Sequence, residues 1–138
     1  MDNYFLLSPI FSFLLAGSIK FILNSLMSKN IAFSKIGLGG FPSTHNAITS
    51  SAFFSILLHE KSNSPLLLVA LSLMLIVAID SLDLRNKIEK HAEAINSLSE
   101  KKGLSFNLRT KIGHKPYEVF GGILVGLLVS YVLFFIGN

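Results

Sequence analysis

The sequence predicts an all-α integral membrane protein: a bundle of about four transmembrane helices with a cytoplasmic helical extension after the third. Hydrophobic residues make up 51% of the 138 residues and charged residues only 14%, whereas about 25% are charged in an average soluble domain. The apolar residues come in long blocks, and a helix needs about 20 of them to cross a bilayer. We expect one membrane-embedded domain, residues 1–138. The absence of cysteine excludes disulfides and thiolate metal sites.

The first two helices are predicted over about residues 4–27 and residues 44–59. A signal peptide would begin with basic residues, but none precedes Lys20, so we expect a retained helix. Lys20 can extend to the membrane interface or point inward at an anion. The second helix, with about 16 residues, is short for a span and is expected to tilt or to begin below the membrane surface.

The third apolar run begins at Pro65, and no strong breaker separates it from the charged segment after Asp80. We therefore expect this helix to continue out of the membrane until about Gly103. Apolar positions of the extension recur at helical spacing: Leu84, Ile88, Ala92, Ile95 and Leu98. That stripe is expected to pack on the bundle or to lie on the membrane surface.

A fourth helix is predicted from Pro116, which suits a first helical turn, to about residue 136. It contains Gly121, Gly122 and Gly126, small residues that permit close helix packing. We interpret these glycines as helix-packing sites.

Basic residues are distributed unequally between the two sides of such a bundle. Residues 28–41 and 84–115 carry ten, whereas the termini and residues 59–64 carry one, Lys61. The positive-inside rule then places both larger loops in the cytoplasm and both termini outside, as in a bacterial inner-membrane protein. This orientation explains the net charge of +4 better than binding to nucleic acid, which we do not expect.

The polar residues of most interest fall at the same predicted end of all four helices: Lys20, Ser43, His45, Asp80, Arg85, His114 and Glu118. Ionisable groups in a membrane are costly, so their convergence in one cytoplasmic cleft predicts a functional site. Two histidines with cationic neighbours and a helix N-terminus suit phosphoryl transfer through a covalent histidine intermediate. No metal or other cofactor is expected, because no close ligand cluster accompanies the histidines.

Several short stretches of the sequence resemble signatures of a known superfamily. Residues 42–45, Pro-Ser-Thr-His, resemble the Pro-Ser-Gly-His signature of the type-2 phosphatidic acid phosphatases and vanadium-dependent haloperoxidases. The closest resemblance is to the small divergent branch, with Gly-Gly-x-Pro-Ser-x-His, an Asp followed by a Val-Arg-like segment, and Gly-His-x-Pro-x-Glu-Val. Residues 39–45, 80–85 and 113–119 match these in that order.

The resemblance implies that His114 is the nucleophile, Glu118 its orienting partner and His45 the general acid. The predicted phosphate-binding residues are Lys20, Ser43, Thr44, Arg85 and Arg109, with Asp80 and Gly40 in support. The Arg-Pro of the first signature is absent after Lys20, and Arg109 lies five rather than six residues before His114. Arg85 or Arg109 can therefore supply the signature guanidinium.

Asp80 has two interpretations: a structural pair with Lys87 or His91 along the helix, which we favour, or the orientation of a cation in the site. The leading functional hypothesis is a membrane lipid phosphate phosphatase acting on the cytoplasmic leaflet. Phosphatidylglycerophosphate fits the inferred side of the membrane, and phosphatidate and polyprenyl phosphates stay open. The alternatives are a non-catalytic anion- or lipid-binding module, such as a translocation partner, and a structural subunit. The superfamily core has six helices, so a homodimer is one way to enclose the cleft.

Overall fold

The computed structural model describes residues 3–28, 40–60 and 64–137, which consist of helices and their connections, with no strand among them. The all-α prediction is confirmed. A 3-10 turn, Asn3–Leu7, precedes the first of five α-helices: α1 Ser8–Ser28, α2 Thr44–His59, α3 Pro65–Leu82, α4 Leu84–Lys101 and α5 Pro116–Gly137. Some residues used in the sequence predictions lie outside the described residues: Lys29, Lys35, Gly39 and Lys61.

Three helical segments of the described chain are long and apolar enough to cross a membrane: Phe5–Leu26, Pro65–Lys101 and Pro116–Gly137. The predicted count of about four spans holds only roughly, because α2 has 16 residues. At 1.5 Å per residue it is about 24 Å long, short of the roughly 30 Å hydrocarbon core. Pro42 and Ser43 at its start are buried, so α2 begins inside the protein, as its length suggested.

Helix α2 is the centre of the bundle and packs against α1, α3 and α5. Its buried residues are small or polar: Asn46, Ala47, Thr49, Ser50, Ser51 and Ser55. Large apolar side chains instead cover the outside of the protein. This pattern suits lipid surroundings, where close contact between small residues drives helix association.

The α2–α5 contact depends on the glycines of α5, as predicted. A Cβ at Gly122 would collide with the carbonyl oxygen of Ser43, and one at Gly126 would collide with the hydroxyl of Ser50. The two backbones therefore approach more closely than any other residue type would allow.

A serine cluster joins α1, α2 and α5 at the opposite end from the predicted site. Ser12 Oγ lies 2.9 Å from Ser51 Oγ, and Ser55 Oγ lies 2.7 Å from Ser8 Oγ and 3.1 Å from Ser130 Oγ. The start of α1 therefore lies beside the second half of α2, so these helices are antiparallel, whereas α2 and α5 are parallel. The end of α1 and the starts of α2 and α5 consequently share one end of the bundle.

Helix α4 continues α3 after the single turn residue Asp83, as the predicted extension required. The five apolar positions of its stripe differ in exposure: Ala92 is buried, while the other four are exposed, namely Leu84, Ile88, Ile95 and Leu98. Packing of those four side chains on the bundle is therefore not seen in the described residues. The helix ends at Lys101, and Gly103 follows with φ +69°, a left-handed residue of the kind that stops helices.

Candidate active site

The loop before α5 is held by side chains and carbonyls of α3 and α4. The His114 N–H donates to the Ser81 carbonyl at 3.1 Å, and the Asn86 amide donates to the His114 carbonyl at 3.2 Å. Glu89 Oε2 accepts from the N–H of Gly113 at 3.1 Å and from that of Ile112 at 3.3 Å. The backbone position of His114 is thus fixed before any ligand enters.

His114 and Glu118 form a buried pair across the first turn of α5. His114 Nδ1 lies 3.0 Å from Glu118 Oε2, and the His114 side chain is fully buried. The Lys115 N–H donates to the same carboxylate oxygen at 3.0 Å. Because a carboxylate only accepts, Nδ1 carries the proton and the Nε2 of neutral His114 carries the lone pair.

The second ring nitrogen of His114 differs from the first in having no partner in the part of the chain that the structure describes. His114 Nε2 is buried and has no hydrogen-bond partner among the described residues. Burial lowers the pKa of His114 from its ordinary value, and the hydrogen bond to Glu118, which raises it, offsets only part of this effect. Lys20 and Arg85 lower this pKa further. His114 is therefore neutral at pH 7, with a lone pair available on Nε2.

The start of α2 is joined directly to the start of α5. The Ser43 N–H donates to the Glu118 carbonyl at 2.8 Å, and Ser43 is completely buried. Gly40 has φ +100°, a conformation that favours glycine, and the Phe41–Pro42 peptide that follows is cis. The predicted turn at Gly40 thus delivers Ser43 to the neighbourhood of His114.

Cations surround both histidines. His45 interacts electrostatically with Arg85, His114 and Lys20, and its Nδ1 is buried without a partner among the described residues. Lys20 is 4% exposed, so it points into the protein rather than to the interface. Its Nζ lies 3.4 Å from Thr44 Oγ1, and it interacts electrostatically with Glu118 and Arg109.

Asp80 pairs with Arg85, and the structural pair with Lys87 or His91 that we favoured for it was wrong. Arg85 Nε donates to Asp80 Oδ2 at 2.6 Å. Lys87 instead pairs with Asp83 at 2.8 Å on the surface, and His91 is exposed. The side chain of Arg85 is half-buried and interacts with both site histidines, whereas Arg109 is exposed and interacts with Lys20.

Sequence reasoning gave no role to four residues that support this site: Asn46, Ser81, Asn86 and Glu89. Asn46 Nδ2 donates to Ser43 Oγ at 2.9 Å and to Ser81 Oγ at 3.1 Å. The sequence contains one signal for this pair, since a buried amide and a hydroxyl interrupt apolar helices next to signature residues. Asn86 and Glu89 lie among ordinary surface charges of α4 and carry no such signal.

The described residues therefore form a cluster of ionisable side chains, with one oriented histidine, a second histidine nearby, and two cations and two carboxylates around them. Cations and an oriented imidazole are the groups that can hold an anion and offer it a lone pair. Among the described residues, no group of three or more His, Asp or Glu side chains is placed to hold a metal ion.

Comparison with known proteins agrees with the signatures in the sequence. The chain is 27% identical to the uncharacterized membrane protein YuiD of Bacillus subtilis, over 96% of this chain and 95% of that protein. No solved structure matches it. The model of the family described as "Divergent PAP2 family" matches residues 1–129, nearly the whole chain. The chain therefore belongs to the divergent PAP2 family.

Proposed function

We propose that this protein is a lipid phosphate phosphatase that hydrolyses a phosphoric monoester through a phosphohistidine on His114. The observation that carries the proposal is the buried His114–Glu118 pair, which leaves His114 Nε2 unpartnered among the described residues and near the cations Lys20 and Arg85. Orientation of an imidazole by a carboxylate is the arrangement that nucleophilic catalysis by histidine needs. Membership of the divergent PAP2 family supports the same reaction class.

The reaction balances with groups on this chain and water. In the first step His114 Nε2 attacks phosphorus, the bond from phosphorus to the lipid oxygen breaks, and His45, which enters the step as the imidazolium, gives a proton to the leaving alkoxide. In the second step water attacks the phosphohistidine, and neutral His45 takes a proton from it. Inorganic phosphate leaves, His114 regains its lone pair and His45 its proton.

Phosphate oxygens would be held by the cations and hydroxyls around the two histidines. We assign Lys20 and Arg85 to this role because both interact electrostatically with His114 and His45. Ser43 and Thr44 lie at the start of α2 and would donate hydroxyl groups. Arg109 would act at the rim, since it is exposed. Fixed positive groups stabilise the charge of the transition state without reorganising.

The proposed substrate is a lipid phosphomonoester of the cytoplasmic leaflet, with phosphatidylglycerophosphate as the first candidate. Residues 28–41 and 84–115, which adjoin the end of the bundle that holds the candidate site, carry ten basic residues, whereas the segments on the opposite side of the membrane carry one. By the positive-inside rule the site then faces the cytoplasm of a bacterial inner membrane, with both termini outside. Lipid precursors presented on that face would reach the site from the bilayer.

The proposal is tested by phosphate release from phosphatidylglycerophosphate, phosphatidate and polyprenyl phosphate in mixed micelles. We expect His114→Ala to lower the rate by about 10³-fold or more, whereas His91→Ala, which changes an exposed histidine of α4, leaves it unchanged. A base-stable, acid-labile phosphoenzyme should form in the unaltered protein and not in His114→Ala. Equal release by both variants would defeat the proposal.

A second candidate is an anion- or lipid-binding membrane module without catalysis. The observation in its favour is the absence of the Arg-Pro expected after Lys20, which removes one cation of the superfamily signature. This candidate predicts that vanadate stabilises the protein while no lipid phosphate is hydrolysed. Product formation, rather than binding, therefore distinguishes the two.

A further inference from the structure

A chain of three buried side chains connects α3 to the start of α2: Ser81, Asn46 and Ser43. Ser81 Oγ donates to the Val77 carbonyl at 2.7 Å, four residues earlier in α3. A hydroxyl has a single proton. Ser81 therefore meets Asn46 as an acceptor, and the atom that faces it at 3.1 Å is Asn46 Nδ2.

The orientation of the Asn46 amide follows from that first bond. If the amide were inverted, its oxygen would face the lone pairs of Ser81 Oγ, and the contact would be repulsive. With Nδ2 in place, one hydrogen goes to Ser81 and the other to Ser43 Oγ at 2.9 Å. Asn46 Oδ1 is then buried and has no partner among the described residues.

The orientation of Asn46 leaves the hydroxyl proton of Ser43 without an acceptor among the described residues. Its oxygen accepts from Asn46 and does not cap α2, and no described residue accepts its hydrogen. Ser43 is fully buried, and its N–H is held by the Glu118 carbonyl at 2.8 Å. Ser43, whose backbone is bonded to that of Glu118, therefore has one hydroxyl proton left to donate.

We propose that Asn46, supported by Ser81, is a positioning residue that fixes Ser43 as a hydrogen-bond donor to a phosphate oxygen. It acts through Ser43 and does not itself touch the ligand. A hydroxyl free to rotate would have to be ordered when the anion binds, whereas this one is oriented before binding. The inference rests on the proposed function only in taking phosphate, or its analogue vanadate, as the ligand.

The test is a double-mutant cycle on anion affinity, measured calorimetrically with inorganic phosphate and with vanadate on the full chain in detergent. We expect Ser43→Ala to weaken binding about tenfold or more, as for a lost hydrogen bond to a charged group. Asn46→Ala should weaken it about threefold to tenfold when Ser43 is present and have no further effect in the Ser43→Ala background. Melting temperatures of the same variants show whether each is folded.

A milder variant covers the case in which Asn46→Ala does not fold. Ser81→Ala removes the acceptor that orients the amide, so the amide can invert and take the Ser43 proton. We expect it to weaken anion binding about twofold to fivefold, again only when Ser43 is present. The matched control is Ser55→Ala, a buried serine at the other end of α2, which should leave anion affinity unchanged.

Each outcome decides one of the two ideas. If Asn46→Ala weakens anion binding equally with Ser43 present and with Ser43→Ala, or does not weaken it at all, the role of Asn46 is overturned even if the protein hydrolyses lipid phosphate. Coupled losses in a protein that hydrolyses no lipid phosphate would support Asn46 and defeat the proposed phosphatase. If neither anion binds the unaltered protein at millimolar concentration, the inference is overturned outright.

Discussion

Replacing Glu118 by glutamine removes the charge of the buried pair while keeping its shape. In the unaltered protein Oε2 accepts from His114 Nδ1 and from the Lys115 N–H, both at 3.0 Å. In Glu118→Gln the amide oxygen should take that same place, because an NH₂ group there would face the Lys115 N–H. The histidine then keeps its proton on Nδ1 and its lone pair on Nε2, so only the charge is lost.

The size of the effect follows from the difference between charged and neutral hydrogen bonds. A bond to a charged group contributes about 1.5–3 kcal/mol and a neutral one about 0.5–1.5 kcal/mol. The imidazole becomes positive as Nε2 bonds to phosphorus, so the loss of about 1–1.5 kcal/mol falls on the transition state. The rate of phosphoenzyme formation should drop about tenfold at pH 7. Because Glu118 raises the pKa of His114, the acidic limb of the rate should also move to lower pH.

The assay is rapid-quench measurement of phosphoenzyme formation at pH values from about 4.5 to about 8, an interval that includes the ordinary pKa of histidine. Glu93→Gln, an exposed carboxylate of α4, is the matched control and should show neither change. An unaltered rate in Glu118→Gln would refute the role of the carboxylate charge. A fall of about 10³-fold or more would instead indicate that the glutamine NH₂ has inverted the tautomer of His114.

Three further predictions concern packing, the guanidinium and pH. Gly122→Ala should destabilise the protein by about 1–3 kcal/mol in thermal unfolding, because the added Cβ would collide with the Ser43 carbonyl at the start of α2. The control is Gly17→Ala, whose Cβ would meet nothing within 4 Å; this change should be neutral or stabilising by up to about 1 kcal/mol. Asp80→Asn should raise KM about threefold to tenfold by releasing its arginine, while Asp83→Asn breaks only an exposed pair and should leave KM unchanged. Folding lowers the pKa of His114, so the stability associated with its neutral form is fully present above about pH 6.5 and is lost as the pH falls through the pKa of His114 in the folded protein. The melting temperature should therefore fall as the pH is lowered below about 6.5, and it should fall less steeply in His114→Gln.

Helix bounds were predictable because strong local signals mark them. Pro65 and Pro116 begin helices, and Gly103 follows the end of α4, as backbone sterics require. The environment of the apolar stripe of α4 was harder to predict, since Ala92 is buried while Ile88 and Ile95 are exposed. Periodicity identifies a face but does not say what covers it.

The site was predictable to the extent that its residues lie next to turns with recognisable chemistry. The contact of His114 with Glu118 follows from their spacing of four across the start of α5. The pairing of Asp80 was mispredicted, because Lys87 and His91 share a helix face with it but lie seven and eleven residues further on. At 1.5 Å per residue those spacings are about 10 Å and 16 Å along a helix, too far for an ion pair. Arg85, five residues on and just beyond the turn residue Asp83, is the observed partner.

The two ends of α2 provide an internal comparison for the role of the ionisable groups. At one end Ser51, Ser55 and Ser130 join three helices through hydroxyls that all have partners. Close packing in this bundle therefore requires no charge and no unsatisfied atom. At the other end His114 Nε2 and His45 Nδ1 are buried without partners among the described residues, at a cost of about 1–3 kcal/mol each. The serine contacts join the same helices without that cost, and the phosphate of the proposed substrate would give both nitrogens a partner.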